Sequence, residues 1–287
     1  EYVIVGNGTA AVRCIEGIRS RDTDGRITVI SKENRAAYCR PLISYYLEDK
    51  TTEEKMAYRS ADFYEKNGCR VLYDTSVTSL DPVGKRVRPD RGETVTYDKL
   101  CLATGSSPFV PPMKNLETVE KQFSFLTLDD AVRLKQTVTA ESRVLIVGAG
   151  LIGLKCAEGL RAVTEHITVC DLSDHILSSI LDAEDAAVVQ RHIESRGIRF
   201  SLHNSVACFE EGHAVMQNGE VIPFDVLVTA VGVRANIGIF KDAGGACTRG
   251  ITVNEKMETS IPDVYAAGDC TECVDVTDGS VKAPIRI

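Results

Sequence analysis

Val3-Ile4-Val5-Gly6-Asn7-Gly8-Thr9-Ala10-Ala11 and Val144-Leu145-Ile146-Val147-Gly148-Ala149-Gly150-Leu151-Ile152-Gly153 share one plan. Each is a short apolar run, a G-x-G-x-x-G/A turn and a helix-like segment. Glycine lets the backbone turn tightly and lets a pyrophosphate approach the helix N-terminus, where free N–H groups and the helix dipole favour anions. One such turn is a weak signal. Two in one chain, each between a strand and a helix, point to two bound dinucleotides and to electrons passing between them.

Working outward, the rest of the chain repeats too. Gly6 and Gly148 lie 142 residues apart. Asn67-Gly68-Cys69-Arg70-Val71-Leu72-Tyr73-Asp74-Thr75-Ser76-Val77 resembles the segment from Arg196 to Val206, and Tyr97 to Gly105 resembles Phe224 to Gly232. Each half reads as β-α-β, a helical stretch, a β-meander with turn signals such as Asp90-Arg91-Gly92 or Asn218-Gly219, and a last strand ending at glycine. Alternating strands and helices predict an α/β fold with parallel sheets. Gly68 and Gly197 are offset by 129, so the first half carries about a dozen extra residues, read as including Asn34 to Lys50.

Composition sets wider bounds. The 287 residues are 44% hydrophobic and 26% charged, which are globular values. No apolar run is long enough for a transmembrane helix, and no leader pattern opens the chain. A net charge of −8 argues against nucleic acid as a partner. The ten cysteines fall mostly inside strand or helix patterns, where they act as small apolar residues, so a reducing cytoplasm is expected.

Each half has a candidate ribose contact. The strand Ile167-Thr168-Val169-Cys170 ends at Asp171, whose carboxylate can accept both ribose hydroxyls and repels a 2′-phosphate. That favours NADH over NADPH. In the first half Ser31 takes this position and the acid arrives at Glu33.

Thr259-Ser260-Ile261-Pro262-Asp263-Val264-Tyr265-Ala266-Ala267-Gly268-Asp269 resembles the second flavin motif of the two-dinucleotide-domain flavoproteins, the pyridine nucleotide–disulfide oxidoreductase superfamily, and Ala103-Thr104-Gly105 resembles its A-T-G turn. The resemblance covers nearly the whole chain. It implies two duplicated Rossmann-like domains, with a discontinuous FAD domain at 1–112 and 243–287 and an NAD domain at 113–242. It implies FAD contacts at Gly6, Asn7, Gly8, Thr9, Ala10, Ala11, Glu33, Val77, Ala103, Thr104, Gly105 and Asp269. NADH would be held by Gly148, Gly150, Leu151, Ile152, Gly153, Asp171 and Gly232.

Tyr38-Cys39-Arg40-Pro41-Leu42-Ile43-Ser44 is similar to the Y-x-R-P-L-x-S segment of rubredoxin and ferredoxin reductases and the nitrite reductase large subunit, which adds Arg40 and Pro41 to the FAD contacts. Tyr45-Tyr46-Leu47 is read as core packing. The superfamily's flavin-side C-x₄-C is missing. Lys155 stands where relatives carry Glu in G-x-I-G-x-E, which bears on the nicotinamide orientation, and Gly232 to Asn236 varies G-x-R-P-N. Cys270-Thr271-Glu272-Cys273 is a C-x-x-C for which a structural reading is preferred to a metal or redox one.

The expectation is an FAD-dependent oxidoreductase passing hydride from NADH to flavin and on to an acceptor, a small redox protein such as rubredoxin or ferredoxin. An NADH oxidase or a coenzyme A or thiol-disulfide reductase using Cys39 is the alternative, and an NADH-sensing flavoprotein without rapid turnover the second. No side chain is nominated as catalytic and no metal is expected. Relatives continue past Ala283-Pro284 into a helix and a C-terminal interface domain, expected to form a homodimer in the full-length protein and absent from this chain.

Overall fold

The structure is a computed structural model that describes residues 1–275, 277 and 279–282; Ala283 and Pro284 lie outside the described residues. The chain divides into two compact units. One holds Glu1–Cys39, Ala57–Ser107 and the described residues from Arg234 onward; the other holds Arg40–Met56 and Pro108–Val233.

Each unit is built on a five-stranded sheet. In the first the strand order is Val264–Ala266, Lys99–Leu102, Tyr2–Val5, Ile27–Ile30, Cys69–Leu72, all parallel. In the second it is Gln122–Ser124, Val226–Thr229, Val144–Val147, Ile167–Cys170, Arg199–Ser201, again all parallel. The central strands are continuous apolar runs because a parallel sheet is covered on both faces. Val144–Val147 is buried along its whole length.

The duplication extends to fine detail. Each sheet is accompanied by an antiparallel meander, Val77–Asp81, Arg86–Pro89, Val95–Thr96 in one and Val206–Glu210, His213–Met216, Val221–Pro223 in the other. Both meanders break register at the same place, between Val77 and Ser79 and between Val206 and Cys208. The copies differ at the sheet edge. The edge strand Val264–Ala266 is the last of its sheet in chain order, whereas Gln122–Ser124 precedes the glycine turn of the second unit.

In the first unit Val3, Leu100, Leu102 and Val264 pack against Leu80 and Val87 of the meander, while Ile4 and Val29 on the opposite face pack against Val12 and Ile15 of the helix Thr9–Arg19. In the second, Leu145, Val147 and Leu227 meet Phe209, Ala214 and Met216.

Both unit boundaries fall earlier in the chain than 112/113 and 242/243. The helix Gly238–Asp242 groups with the first unit because Phe240, fully buried, lies in the cluster with Val3, Leu100 and Val264. The inserted segment divides between the units, its part from Arg40 onward grouping with the second. Its short helix Ile43–Leu47 packs on the helix Leu151–Leu160, so closely that a Cβ on Gly159 would stand 2.9 Å from the Ser44 carbonyl oxygen. Leu47 is buried there as core packing requires; Tyr45 is not, being 40% exposed.

Arg143 grips Asp225 with two guanidinium nitrogens, at 3.0 and 2.7 Å, and with its backbone N–H at 2.8 Å, which together hold the Asp225 carboxyl down at about 2. A carboxyl with a depressed folded pKa adds stability that is complete above its unfolded value of about 4 and is lost as pH falls from there to about 2. Both side chains are some two-fifths exposed, at 44% and 39%, so the pair contributes at most about 1 kcal/mol. Urea unfolding of Asp225→Asn should show this deficit at neutral pH and none at the acid end of that window.

Candidate dinucleotide-binding sites

The first glycine of each turn is required by its surroundings. Gly6 has φ +108° and Gly148 φ +116°, where a side chain is strained. A Cβ on Gly6 would stand 2.0 Å from the Ala103 carbonyl oxygen, and one on Gly148 would stand 2.3 Å from that of Ala230. This close approach of two main chains gives a physical reason for the first glycine of each turn.

The second glycine differs. Gly8 and Gly150 cap their helices in extended conformation, with φ −92° and −75°. A Cβ on either would meet no protein atom within 4 Å. Nothing in the chain demands glycine there; what it leaves is room above the helix start. Neither helix has a side-chain cap, whereas Thr127 caps Leu128–Thr137 and Asp182 caps Ala183–Glu194. The two glycine-turn helices therefore present uncapped N–H groups to an open space, which suits a pyrophosphate. The residues fit two dinucleotides on these grounds.

At the third position the copies part. A Cβ on Gly153 would lie 2.0 Å from the Gly148 carbonyl oxygen, but the equivalent Ala11 is accommodated, fully buried. Thr9 and Ala10 open the first helix as Leu151 and Ile152 open the second.

Asp171 sits at the end of its strand as the sequence suggests. Its Oδ2 accepts from the Ala149 N–H at 2.6 Å and its Oδ1 from the Ser173 N–H at 2.8 Å, so the carboxylate is held against the turn. Ser31 occupies the matching place in the first unit, and its hydroxyl donates to the Glu33 carbonyl at 2.8 Å. Glu33 Oε2 accepts from the Tyr38 hydroxyl at 2.8 Å. Asp269 Oδ2 accepts from the Ser106 hydroxyl at 3.2 Å, and a strand, Thr271–Val274, follows it. Val77 begins the first meander. Gly105 and Gly232 take positive φ, +64° and +113°.

Arg40 and Pro41 lie in a 3₁₀ turn, Arg40–Leu42, that groups with the second unit. Lys155 is anchored within that unit, paired with Glu158 and 5.0 Å from the Tyr45 ring centroid.

One contributor escaped the sequence reading. Asn236 fastens the Ala103-Thr104-Gly105 turn: its Nδ2 donates to the Thr104 carbonyl at 2.8 Å, its N–H to the Gly105 carbonyl at 2.9 Å, and its carbonyl accepts from the Thr104 hydroxyl at 2.7 Å. The signal was the final Asn of the G-x-R-P-N variant.

All ten cysteines are free. Burial pushes the Cys170 thiol up to about 12 and the Cys270 thiol upward; Cys270 Sγ donates to the Leu102 carbonyl at 3.3 Å. Among the described residues no group of His, Cys, Asp and Glu could hold a metal ion, and no helix is long and apolar enough to cross a membrane.

The two turns, their sheets and their meanders define a duplicated dinucleotide-binding protein, and comparison with known proteins identifies the kind. The pyridine nucleotide-disulphide oxidoreductase family model matches residues 1–283, and the chain belongs to that family. It is 33% identical over 291 aligned positions to an NADH oxidase of Methanocaldococcus jannaschii, covering 96% of this chain and 64% of the relative. It is 29% identical to the NADH-rubredoxin oxidoreductase of Clostridium acetobutylicum, covering 98% of this chain and 71% of the relative. Across eight curated relatives the chain spans 32% to 71% of their length. Among solved structures, the covalent putidaredoxin reductase–putidaredoxin complex contains a chain that superposes with a TM-score of 0.92 at 26% identity, covering 98% of this chain and 70% of that one. Oxidoreductases of this kind use FAD and NAD(H).

Proposed function

We propose that the chain is the two-nucleotide part of an FAD-dependent oxidoreductase that takes hydride from NADH and delivers electrons to a small redox protein of the rubredoxin or ferredoxin type. The observation that carries this reading is the pair of matched glycine turns, each with its first glycine locked by a carbonyl and its second opening onto free space. Gly6, Gly8, Thr9, Ala10 and Ala11, with the main chain of Asn7, would hold the FAD pyrophosphate; Glu33, Val77, Ala103, Thr104, Gly105 and Asp269, with Arg40 and Pro41, would complete that set. Gly148, Gly150, Leu151, Ile152, Gly153, Asp171 and Gly232 would hold NADH. On this reading residues 1–112 with 243–287 would form the FAD part and 113–242 the NAD part. Bound FAD supplies a ring that accepts a hydride from NADH and releases electrons singly or in pairs. The chain's own residues bind and orient: helix N-termini meet phosphate, and carboxylates meet ribose.

The acceptor is tested by reducing the flavin with NADH without oxygen, then mixing with oxidised rubredoxin, ferredoxin or oxygen. Fast reoxidation by a carrier protein, retained in Cys39→Ser, is the expected result. Loss of turnover in Cys39→Ser with flavin reduction intact would move the assignment to a thiol reaction. The likeness to an NADH oxidase favours oxygen as the second reading.

Nucleotide choice has its own test. Asp171→Asn removes the charge that repels a 2′-phosphate but keeps an acceptor for the Ala149 N–H. The ratio of kcat/KM for NADH to that for NADPH should fall about tenfold, equivalent to about 1.4 kcal/mol. An unchanged ratio would remove Asp171 from the ribose site.

A further inference from the structure

Asn7, the middle residue of the first glycine turn, does not offer its side chain to a ligand. Its Oδ1 accepts from the Tyr64 hydroxyl at 2.6 Å, and its Nδ2 donates to the Arg35 carbonyl at 3.3 Å. The Tyr64 oxygen in turn accepts from the Ala37 N–H at 3.2 Å. One phenol thus joins two backbone segments far apart in sequence. One is the phosphate turn after the first strand. The other is the loop after the second strand, which carries Glu33, itself held by the Tyr38 hydroxyl.

The tyrosine is well placed for this task. It lies in the short helix Phe63–Lys66, and its ring meets Phe63 edge-on, with centroids 5.2 Å apart. Phe63 is buried in the cluster that contains Ile4, Ala11 and Ile15, beside the turn. Burial pushes the Tyr64 hydroxyl up, so it stays protonated, and remains a donor, across the neutral range.

We propose that Tyr64 is a positioning residue for the flavin nucleotide: its hydroxyl fixes, through Asn7, the distance between the turn that takes the pyrophosphate and the loop that takes the adenosine ribose. A side chain on Gly6 has no room against the Ala103 carbonyl, and the Asn7 side chain is held by the Tyr64 hydroxyl and the Arg35 carbonyl. The proposal rests on the first turn holding FAD. The second unit has no equivalent, because Ala149 stands where Asn7 does and has no polar side chain. There the turn is steadied by Asp171, which accepts from the Ala149 N–H. The two copies reach one turn geometry by different means.

The test uses Tyr64→Phe, which keeps the ring and deletes the hydroxyl. FAD affinity is measured by quenching of flavin fluorescence, and the pyrophosphate is observed by phosphorus NMR on the bound cofactor. The dissociation constant should rise about tenfold, since the change deletes both the bond to Asn7 and the one from the Ala37 N–H. The phosphorus resonances should shift. Asn7→Ala, which removes the bonds to Tyr64 and to the Arg35 carbonyl, should also weaken FAD binding without touching the tyrosine, and the double variant should cost less than the sum of the two single changes, because they share the Tyr64–Asn7 bond. A purely structural tyrosine would lower the melting temperature of the ligand-free protein and leave the phosphorus signals in place; that result overturns the proposal, as do fully additive effects. If the unaltered protein binds no FAD, both this proposal and the flavin reading fail. If it binds FAD and Tyr64→Phe binds it equally well, only this proposal fails.

Discussion

Gly150→Ala is expected to leave the ligand-free protein nearly as stable as before and to weaken NADH binding by about a hundredfold, or about 2.7 kcal/mol. The backbone at Gly150, φ −75°, is one that alanine adopts freely, and the added methyl meets no protein atom within 4 Å. Beyond the modest N-cap preference for glycine over alanine, its cost is the space it takes from a bound pyrophosphate. Gly148→Val is expected to behave differently. There φ is +116° and the new Cβ would lie 2.3 Å from the backbone oxygen of Ala230, so the turn itself must deform. That variant should lose both NADH binding and stability in the second unit, while FAD remains. The mirrored pair, Gly8→Ala and Gly6→Val, should act on FAD in the same two ways. Melting curves of the ligand-free proteins, set beside titrations with each nucleotide, separate the two effects. Equal stability losses for Gly150→Ala and Gly148→Val would show that the second glycine serves the fold rather than a ligand.

Phe240→Ala is expected to cost about 3–5 kcal/mol and to loosen the first unit. Phe240 is fully buried among Val3, Leu100, Ile251 and Val264. Its ring is packed so tightly against Gly245 that a Cβ there would come within 2.2 Å of it. Truncation leaves a cavity that this backbone cannot easily collapse to fill. Hydrogen exchange should therefore rise in the strands Tyr2–Val5, Lys99–Leu102 and Val77–Asp81, and stay low in Val144–Val147 and Val226–Thr229. Faster exchange confined to the second sheet would mean that Gly238–Asp242 belongs with the other unit.

The sequence made the glycine turns, the sheets and the duplication legible because each rests on a local rule. A parallel strand must be apolar throughout, and a positive φ beside a carbonyl excludes every side chain. Asp171 was legible because its place, at the end of the second strand, is fixed by the chain path. Other features depend on contacts between segments remote in sequence. The five-residue helix Ile43–Leu47 is too short to show a period, so nothing announced that it packs on Leu151–Leu160; Gly159, a glycine inside a helix pattern, was the one trace. Edge strands as short as Gln122–Ser124 carry almost no pattern, and their order along the chain was not readable. Asn7 was read as a ligand contact by its position in the motif, whereas its side chain turns to Tyr64 and Arg35.

The first turn is expected to hold FAD and the second NADH, with electrons moving from the second to the first. The most direct test is an anaerobic titration of the FAD-reconstituted protein with NADH, followed in the visible flavin band and repeated with Gly150→Ala. NADH should bleach the flavin mole for mole, and Gly150→Ala should keep its flavin but need far more NADH. A protein that takes up no FAD, or whose bound flavin is bleached equally well in Gly150→Ala, would contradict this assignment.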